Sequence, residues 1–133
     1  MIVDDQPAIL QGLKELVEKS GLGQVVVTET NGHDALDSAQ KHHPDLILVD
    51  VSMPKMSGIE FARHLKFRQQ DTKILAVSAY ANNVYVRGMF KAGASGYLLK
   101  DNISTELAIA IQTVMDGEQW ISEGLTEDPP LAS

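Results

Sequence analysis

Several residue types and patterns are missing from this sequence, and their absence narrows the possible functions. The chain contains no cysteine, which excludes disulfides, thiolate nucleophiles and thiolate metal sites. No apolar run reaches the length of a transmembrane helix, and the N-terminus lacks the basic flank and apolar segment of a signal peptide. We therefore expect no association with a membrane and a cytoplasmic protein.

Size and charge restrict the function further. The 133 residues are enough for one domain with a substantial core, and the 44% of hydrophobic residues is ordinary for a globular protein. The formal net charge is -7, and an acidic surface repels phosphate backbones. The chain by itself is therefore a poor candidate for nucleic-acid binding.

The most informative stretch is an apolar run that leads into a single carboxylate. Residues 46–49 are all apolar, Asp50 follows them, and Pro54 lies a few residues beyond. A short apolar run between polar residues is typical of a strand that is buried on both faces of a parallel sheet. In such sheets, ligands bind at the carboxyl ends of the strands, where Asp50 would lie.

Strand and helix patterns alternate five times along the chain. Such alternation predicts an α/β fold with a doubly wound parallel sheet and helices on both faces. Strands are expected at residues 1–5, 25–28, 45–50, 73–78 and 95–100. Helices are expected after Pro7, Asn31 and Ser57, from Asn82 or Asn83, and from Asn102 or Ser104.

Polar side chains follow four of the five expected strands. Asp4 and Asp5 end the first, Asp50 the third, Ser78 the fourth and Lys100 the fifth. Because parallel strands end at one edge of a sheet, three carboxylates, a hydroxyl and an ammonium should converge there.

Such a cluster suggests metal binding and phosphoryl chemistry. Neighbouring carboxylates repel one another unless a cation neutralises them, and oxygen ligands without histidine or cysteine suit Mg²⁺. A carboxylate among these groups can also act as a nucleophile and form an aspartyl phosphate.

These residues stand in five motifs: Val3-Asp4-Asp5, residues 48–54 with Ser57-Gly58, Val77-Ser78-Ala79, Gly93-Ala94 and residues 96–101. Together the motifs resemble the response-regulator receiver domain, the phosphoacceptor half of two-component signalling, and the resemblance covers residues 1–120. The last motif ends in Lys-Asp where many receivers have Lys-Pro, and it resembles the subfamily that carries a LuxR-type helix-turn-helix domain.

The resemblance implies a flavodoxin-like (βα)5 fold with a five-stranded sheet in the order 2-1-3-4-5. It also implies a magnesium site. Asp5 and Asp50 would bind Mg²⁺ directly, Asp4 largely through water, and the backbone carbonyl of Ser52 would complete the protein ligands.

The resemblance further implies a phosphorylation switch, without turnover of an external substrate. Asp50 would accept the phosphoryl group, Lys100 would contact it, and Ser78 would hydrogen-bond to it after transfer. Tyr97 would then move from an exposed to a buried rotamer. The phosphoryl group would be lost slowly by autodephosphorylation.

The resemblance also implies partners and a domain boundary. A sensor histidine kinase would supply the phosphoryl group, and a homodimer is possible. Residues 1–120 would form the receiver domain and residues 121–133 a linker or disordered tail. DNA would be bound only through a C-terminal effector domain, which is absent from this chain.

The peptide bond after Lys100 is a departure from the family pattern. Receivers with Lys-Pro often have a cis bond there, but Asp101 replaces the proline in this chain. A cis bond before a residue other than proline costs about 2.5–4 kcal/mol. We therefore expect a trans bond, or a strained one, between Lys100 and Asp101.

Two other functions remain open on the sequence. A phosphatase of the haloacid-dehalogenase type also uses an aspartate at a strand end, but it has a second aspartate two residues later, where this chain has Ser52. A pseudo-receiver or flavodoxin-like binding module would have lost phosphotransfer. The complete set of acidic, hydroxyl and ammonium groups argues against that loss.

Overall fold

The chain alternates strands and helices, as the sequence pattern predicts. The computed structural model describes residues 1–125, so residues 126–133 of the expected tail lie outside the described residues. The strands are β1 (Ile2–Val3), β2 (Thr28–Glu29), β3 (Leu46–Val49), β4 (Lys73–Ser78), β5 (Gly96–Leu99) and β6 (Trp120–Ile121). The helices are α1 (Pro7–Lys19), α2 (Gly32–His42), α3 (Gly58–Arg68), α4 (Asn83–Lys91) and α5 (Ile103–Met115), with a 3-10 helix (Lys100–Asn102) directly before α5.

Side-chain caps begin three helices where the sequence places them. Asn31 and Asn82 each accept a hydrogen bond from a backbone N–H in the first turn of α2 and α4. Ser57 and Glu60 form a reciprocal capping box at the start of α3. These bonds satisfy amides that have no partner within the helix. Within residues 1–125, no helix has the length and apolar character needed to cross a membrane.

The strands form one parallel sheet in the order β2-β1-β3-β4-β5-β6. The predicted order 2-1-3-4-5 is confirmed, but the expectation of five strands is wrong. Trp120 and Ile121 pair with Gly96 and Tyr97 and add a sixth strand at the edge. Two residues without alternation are too short a pattern to indicate a strand. The expected tail at 121–133 thus begins inside β6, and the predicted domain boundary stays a prediction.

Two strands differ in their limits from the sequence pattern. The second was expected at residues 25–28 but comprises Thr28 and Glu29, because β1 offers only two residues for pairing. Val26, which precedes β2, is 47% exposed. The fifth was expected to include Lys100, but Lys100 begins the 3-10 helix. Lys100 therefore lies just beyond the carboxyl end of β5 and outside the sheet.

Alternate residues of the central strands face two apolar layers, as the two-residue period of a strand requires. Ile47 and Val49 of β3 pack with buried side chains of α2, α3 and α4. Leu48 points to the other face and packs with α1 and α5. Both faces of β3 are therefore covered by helices, and this packing fixes the backbone position of Asp50 at the end of the strand.

The loop after β3 closes through a tight contact at Gly58. The Gly58 N–H donates to the carbonyl of Val51 at 2.7 Å. A Cβ at Gly58 would lie 2.2 Å from the backbone oxygen of Asp50 and 2.8 Å from the Cα of Val51. Only glycine therefore allows α3 to begin this close to the main chain of Asp50.

We predict that Gly58→Ala lowers the free energy of unfolding by roughly 2–3 kcal/mol, because its methyl group would press on the backbone of Asp50. Gly12→Ala is the matched control, since Gly12 lies within α1 with nothing within 4 Å of its added Cβ. The control should raise stability by about 0.5–1 kcal/mol through helix propensity. Urea denaturation measures both changes. Equal changes in the free energy of unfolding for the two substitutions would contradict a steric contact at Gly58.

Candidate functional site

The structure brings the predicted acidic residues together at the carboxyl edge of the sheet. Asp4 follows β1 and Asp50 follows β3, and the Asp50 N–H donates to the carbonyl of Val3 at 2.9 Å. The two residues are 1% and 5% exposed, while Asp5 is more open to solvent. One carboxylate oxygen from each of the three residues lies within 4.8 Å of the others.

The ammonium of Lys100 lies beside two of these carboxylates. Its Nζ lies 2.9 Å from Oδ2 of Asp4 and 3.6 Å from Oδ1 of Asp50. The Gln6 N–H donates to the other oxygen of Asp4 at 2.9 Å. One ammonium therefore compensates two buried carboxylates, and the cluster as a whole retains negative charge.

The donor set fits a hard divalent cation. Three carboxylates supply oxygen ligands only, which is what Mg²⁺ prefers. Oδ2 of Asp4 is buried and accepts no hydrogen bond from the described residues, although the charge of Lys100 lies beside it. A cation among these oxygens would reduce the repulsion between them. Asp4, Asp5 and Asp50 are therefore the candidate metal-binding residues.

Burial and charge change the acidity of the central carboxyl group. Burial, followed by the charge of Asp4, raises the pKa of Asp50 from 3.8 to about 6, and Lys100 opposes part of this rise. The backbone N–H of Ser52 favours the ionised form and so lowers the pKa of Asp50 slightly. Ionised Asp50 therefore lowers the free energy of unfolding of the metal-free protein.

The predicted switch residues lie beside this cluster. Ser78 is fully buried at the end of β4, and its Oγ accepts a hydrogen bond from the N–H of Tyr80 at 3.0 Å. Tyr97 is also fully buried, and its hydroxyl donates to the carbonyl of Tyr80 at 2.6 Å. Burial raises the pKa of the Tyr97 phenol, and a hydrogen bond with Ser78 opposes the rise. The structure therefore contains the buried conformer of Tyr97, and its exposed conformer stays a prediction.

Ser52 lies at the edge of the site and is exposed. Its N–H favours the ionised form of Asp50, as described above, and the role of its carbonyl in metal binding stays a prediction. The sequence predicts a trans or strained peptide bond between Lys100 and Asp101. No cis peptide bond occurs within the described residues, so the bond is trans.

Sequence reasoning missed three residues that bond to Asp4 or near the turn that carries Lys100: Gln6, Glu106 and Ser122. Gln6 acts through its backbone N–H, which leaves no mark on residue type. Ser122 donates to Glu106 and accepts from the backbone of β5. The strand-end motif did not include these two residues, because Ser122 follows the strand that the sequence pattern did not indicate.

We predict that Asp50→Asn stabilises the metal-free protein above pH 6 by roughly 1–2 kcal/mol. A raised pKa means that the folded state binds this proton more tightly than the unfolded chain does. Ionising Asp50 therefore lowers the free energy of unfolding as pH rises from 3.8 through about 6, and asparagine cannot ionise.

Urea denaturation in a chelator across this pH range measures the difference between the two proteins. The stability curves should converge at low pH and separate as pH rises. A constant difference at every pH would mean that the packing of the introduced amide, and not the loss of charge, causes the change.

Comparison with known proteins identifies the family and the relatives of this chain. Residues 1–112 match the family described as response regulator receiver domain. The transcriptional regulatory protein DesR of Bacillus subtilis is 39% identical over 127 residues, which cover 96% of this chain and 63% of DesR. The nitrate/nitrite response regulator protein NarL of Escherichia coli is 35% identical over 133 residues, which cover 100% of this chain and 61% of NarL. The chain thus spans about three fifths of the length of these curated relatives.

The fold agrees with this relationship. The solved structure of a LuxR-family two-component response regulator from Aurantimonas sp. is 30% identical, with a TM-score of 0.87 over 94% of this chain and 89% of that chain. The parallel sheet and its strand order are those of the flavodoxin-like receiver fold, with β6 added. The chain belongs to the response regulator receiver domain family, and its relatives are response regulators of the LuxR and NarL type.

Proposed function

We propose that this chain is a phosphorylation-dependent signalling switch with Asp50 as its phosphoacceptor. One observation carries the proposal: Asp50 ends a buried central strand with two further carboxylates and the Lys100 ammonium within reach. A structural ion pair would need one carboxylate for one ammonium. The excess of acids is explained by a site that also receives a divalent cation.

The proposed chemistry is a transfer of a phosphoryl group to a carboxylate oxygen of Asp50. That oxygen attacks phosphorus, the bond from phosphorus to the donor's leaving group breaks, and the leaving group departs with the electron pair. Lys100 stabilises the negative charge of the phosphoryl oxygens from a position already beside Asp50. Asp4, Asp5, Asp50 and the carbonyl of Ser52 would hold Mg²⁺, which would supply positive charge to offset that of the phosphoryl oxygens.

The proposed output begins at Ser78 and Tyr97. A phosphoryl oxygen on Asp50 would offer the Ser78 hydroxyl a charged acceptor, and hydrogen bonds to charged acceptors are stronger than those to neutral ones. Movement of Ser78 would carry the backbone of Tyr80 with it, because the two are hydrogen-bonded. Tyr97, bonded to the carbonyl of Tyr80, would then be fixed in its buried conformer. A local charge would thus change the surface between β4 and α4.

The partners follow from the family. We propose that a sensor histidine kinase in the cytoplasm supplies the phosphoryl group, and that homodimerisation is one output. DesR and NarL are named as regulators, and residues 1–120 of this chain would serve as the receiver domain of such a protein. DNA binding would then belong to an effector domain beyond this chain. The acidic net charge of the chain agrees with that division.

A haloacid-dehalogenase-type phosphatase is the alternative that also uses an aspartyl phosphate. It needs a second acid two residues after the nucleophile, where this chain has Ser52. Serine cannot replace a carboxyl group as a general acid and base at neutral pH. A slow switch therefore fits Asp50 better than a turnover enzyme does.

The test is the intact mass of the protein after incubation with acetyl phosphate, with and without Mg²⁺. We predict one phosphoryl adduct that requires Mg²⁺ and is absent from Asp50→Asn. Lys100→Gln should slow its formation by roughly 10²-fold, because it removes a charge that stabilises the transferring group.

Asp37→Asn is the matched control for this experiment, since Asp37 is an exposed acid on α2. It should form the adduct at the wild-type rate. A folded wild-type protein that forms no adduct would contradict the switch and favour a pseudo-receiver. An adduct that persists in Asp50→Asn would place the acceptor at another residue.

A further inference from the structure

The segment after α5 contacts the backbone just before Lys100. The β5–β6 ladder ends where Tyr97 pairs with Ile121, and the Ser122 N–H donates to the carbonyl of Tyr97 at 3.0 Å. The Oγ of Ser122 then accepts a hydrogen bond from the N–H of Leu99 at 2.9 Å. A serine side chain therefore continues the ladder by one more bond, and this bond holds the residue that immediately precedes Lys100.

The same segment also contacts the backbone just after Lys100. The side-chain amide of Asn102 donates to the carbonyl of Glu123 at 3.2 Å. Lys100 and Asn102 are the two ends of one 3-10 helix. Ser122 and Glu123 thus hold the chain on both sides of the lysine.

Glu106 of α5 fixes these two residues in turn. Ser122 Oγ donates to Oε1 of Glu106 at 2.6 Å, and the Glu123 N–H donates to Oε2 at 3.2 Å. Both oxygens of one carboxylate are therefore occupied by adjacent residues of the segment. Ser122 is only 2% exposed, and Leu125, which follows the segment, is buried in the apolar layer that contains Tyr97.

The position of the Lys100 ammonium depends on this backbone. A lysine side chain has a fixed maximum length, so the position of its Cα limits the carboxylates that its ammonium can reach. Lys100 leaves the sheet edge at the turn and reaches Asp4 and Asp50 at 2.9 and 3.6 Å. A displaced turn would move the ammonium away from the place where the phosphoryl group arrives.

We propose that Ser122 and Glu106 are positioning residues for phosphotransfer, because they hold the Leu99–Asn102 turn that aims Lys100 at Asp50. The inference rests on the proposed function, since it assigns Lys100 to the phosphoryl group. Residues just beyond β6 then contribute to phosphotransfer, and a substitution in this segment changes the rate at which Asp50 is phosphorylated.

The first test compares the rate of adduct formation from acetyl phosphate at saturating Mg²⁺. Ser122→Ala removes the acceptor for the Leu99 N–H and should slow the reaction by roughly tenfold, since misplaced catalytic groups lose rate steeply. Ser122→Thr keeps the hydroxyl and should restore most of the rate. Ser104→Ala makes the same chemical change at an exposed serine of α5 and should leave the rate unchanged.

Glu106→Gln is a second, milder variant. It keeps an oxygen that can accept from Ser122 but cannot also accept from the Glu123 N–H, so its rate should fall between those of wild type and Ser122→Ala. Mg²⁺ affinity, measured by calorimetry, should not fall in either variant, because the ammonium of Lys100, and no metal ligand, is displaced.

A double-mutant cycle separates positioning from a general loss of stability. In a Lys100→Gln background, Ser122→Ala should cause almost no further slowing, because the group that it positions is gone. The same fractional slowing in both backgrounds would overturn the inference, and so would a wild-type rate in Ser122→Ala. If wild type forms no adduct at all, the proposed function itself fails and not this inference alone.

Discussion

Repulsion between carboxylates at one edge of the sheet is the constraint on which the site depends. Asp4 and Asp50 are buried side by side because the backbones of β1 and β3 are hydrogen-bonded there. Lys100 alone cannot neutralise both of them together with Asp5. Burial, followed by the charge of Asp4, raises the pKa of Asp50, and this rise is a cost in folding stability. Strongly shifted pKa values of this kind cluster at functional sites, where charged groups are arranged to bind a ligand or take part in a reaction.

The rest of the architecture keeps these charges in place. β3 is covered on both faces, so Asp50 has little freedom to turn away from the other acids. Gly58 lets α3 pack directly on the main chain of Asp50. After β6, Ser122 bonds to Leu99 and to Glu106 and so holds the turn that carries Lys100. Elements from both ends of the chain therefore determine the geometry of a site that only a few side chains form.

Much of the fold and the site could be predicted from the sequence, because both follow from strong local patterns. The apolar run before Asp50 identified the central strand, and parallel strands that share an edge brought the distant acids and Lys100 together. The limits of β2 and the existence of β6 could not be predicted, because each depends on what a neighbouring strand offers for pairing. The hydrogen bonds of Ser122 and Glu106 could not be predicted either, since they join segments that no local pattern connects.

The central claim is that the phosphoryl group is carried by Asp50. Borohydride reduction of the phosphorylated protein tests it most directly, because it converts an aspartyl phosphate into homoserine at the acceptor position. Peptide mass mapping then identifies that position. The account predicts homoserine at residue 50, only after treatment with acetyl phosphate and Mg²⁺. Homoserine at residue 4 or 5, or at none of the acids in a protein that carries the adduct, would contradict it.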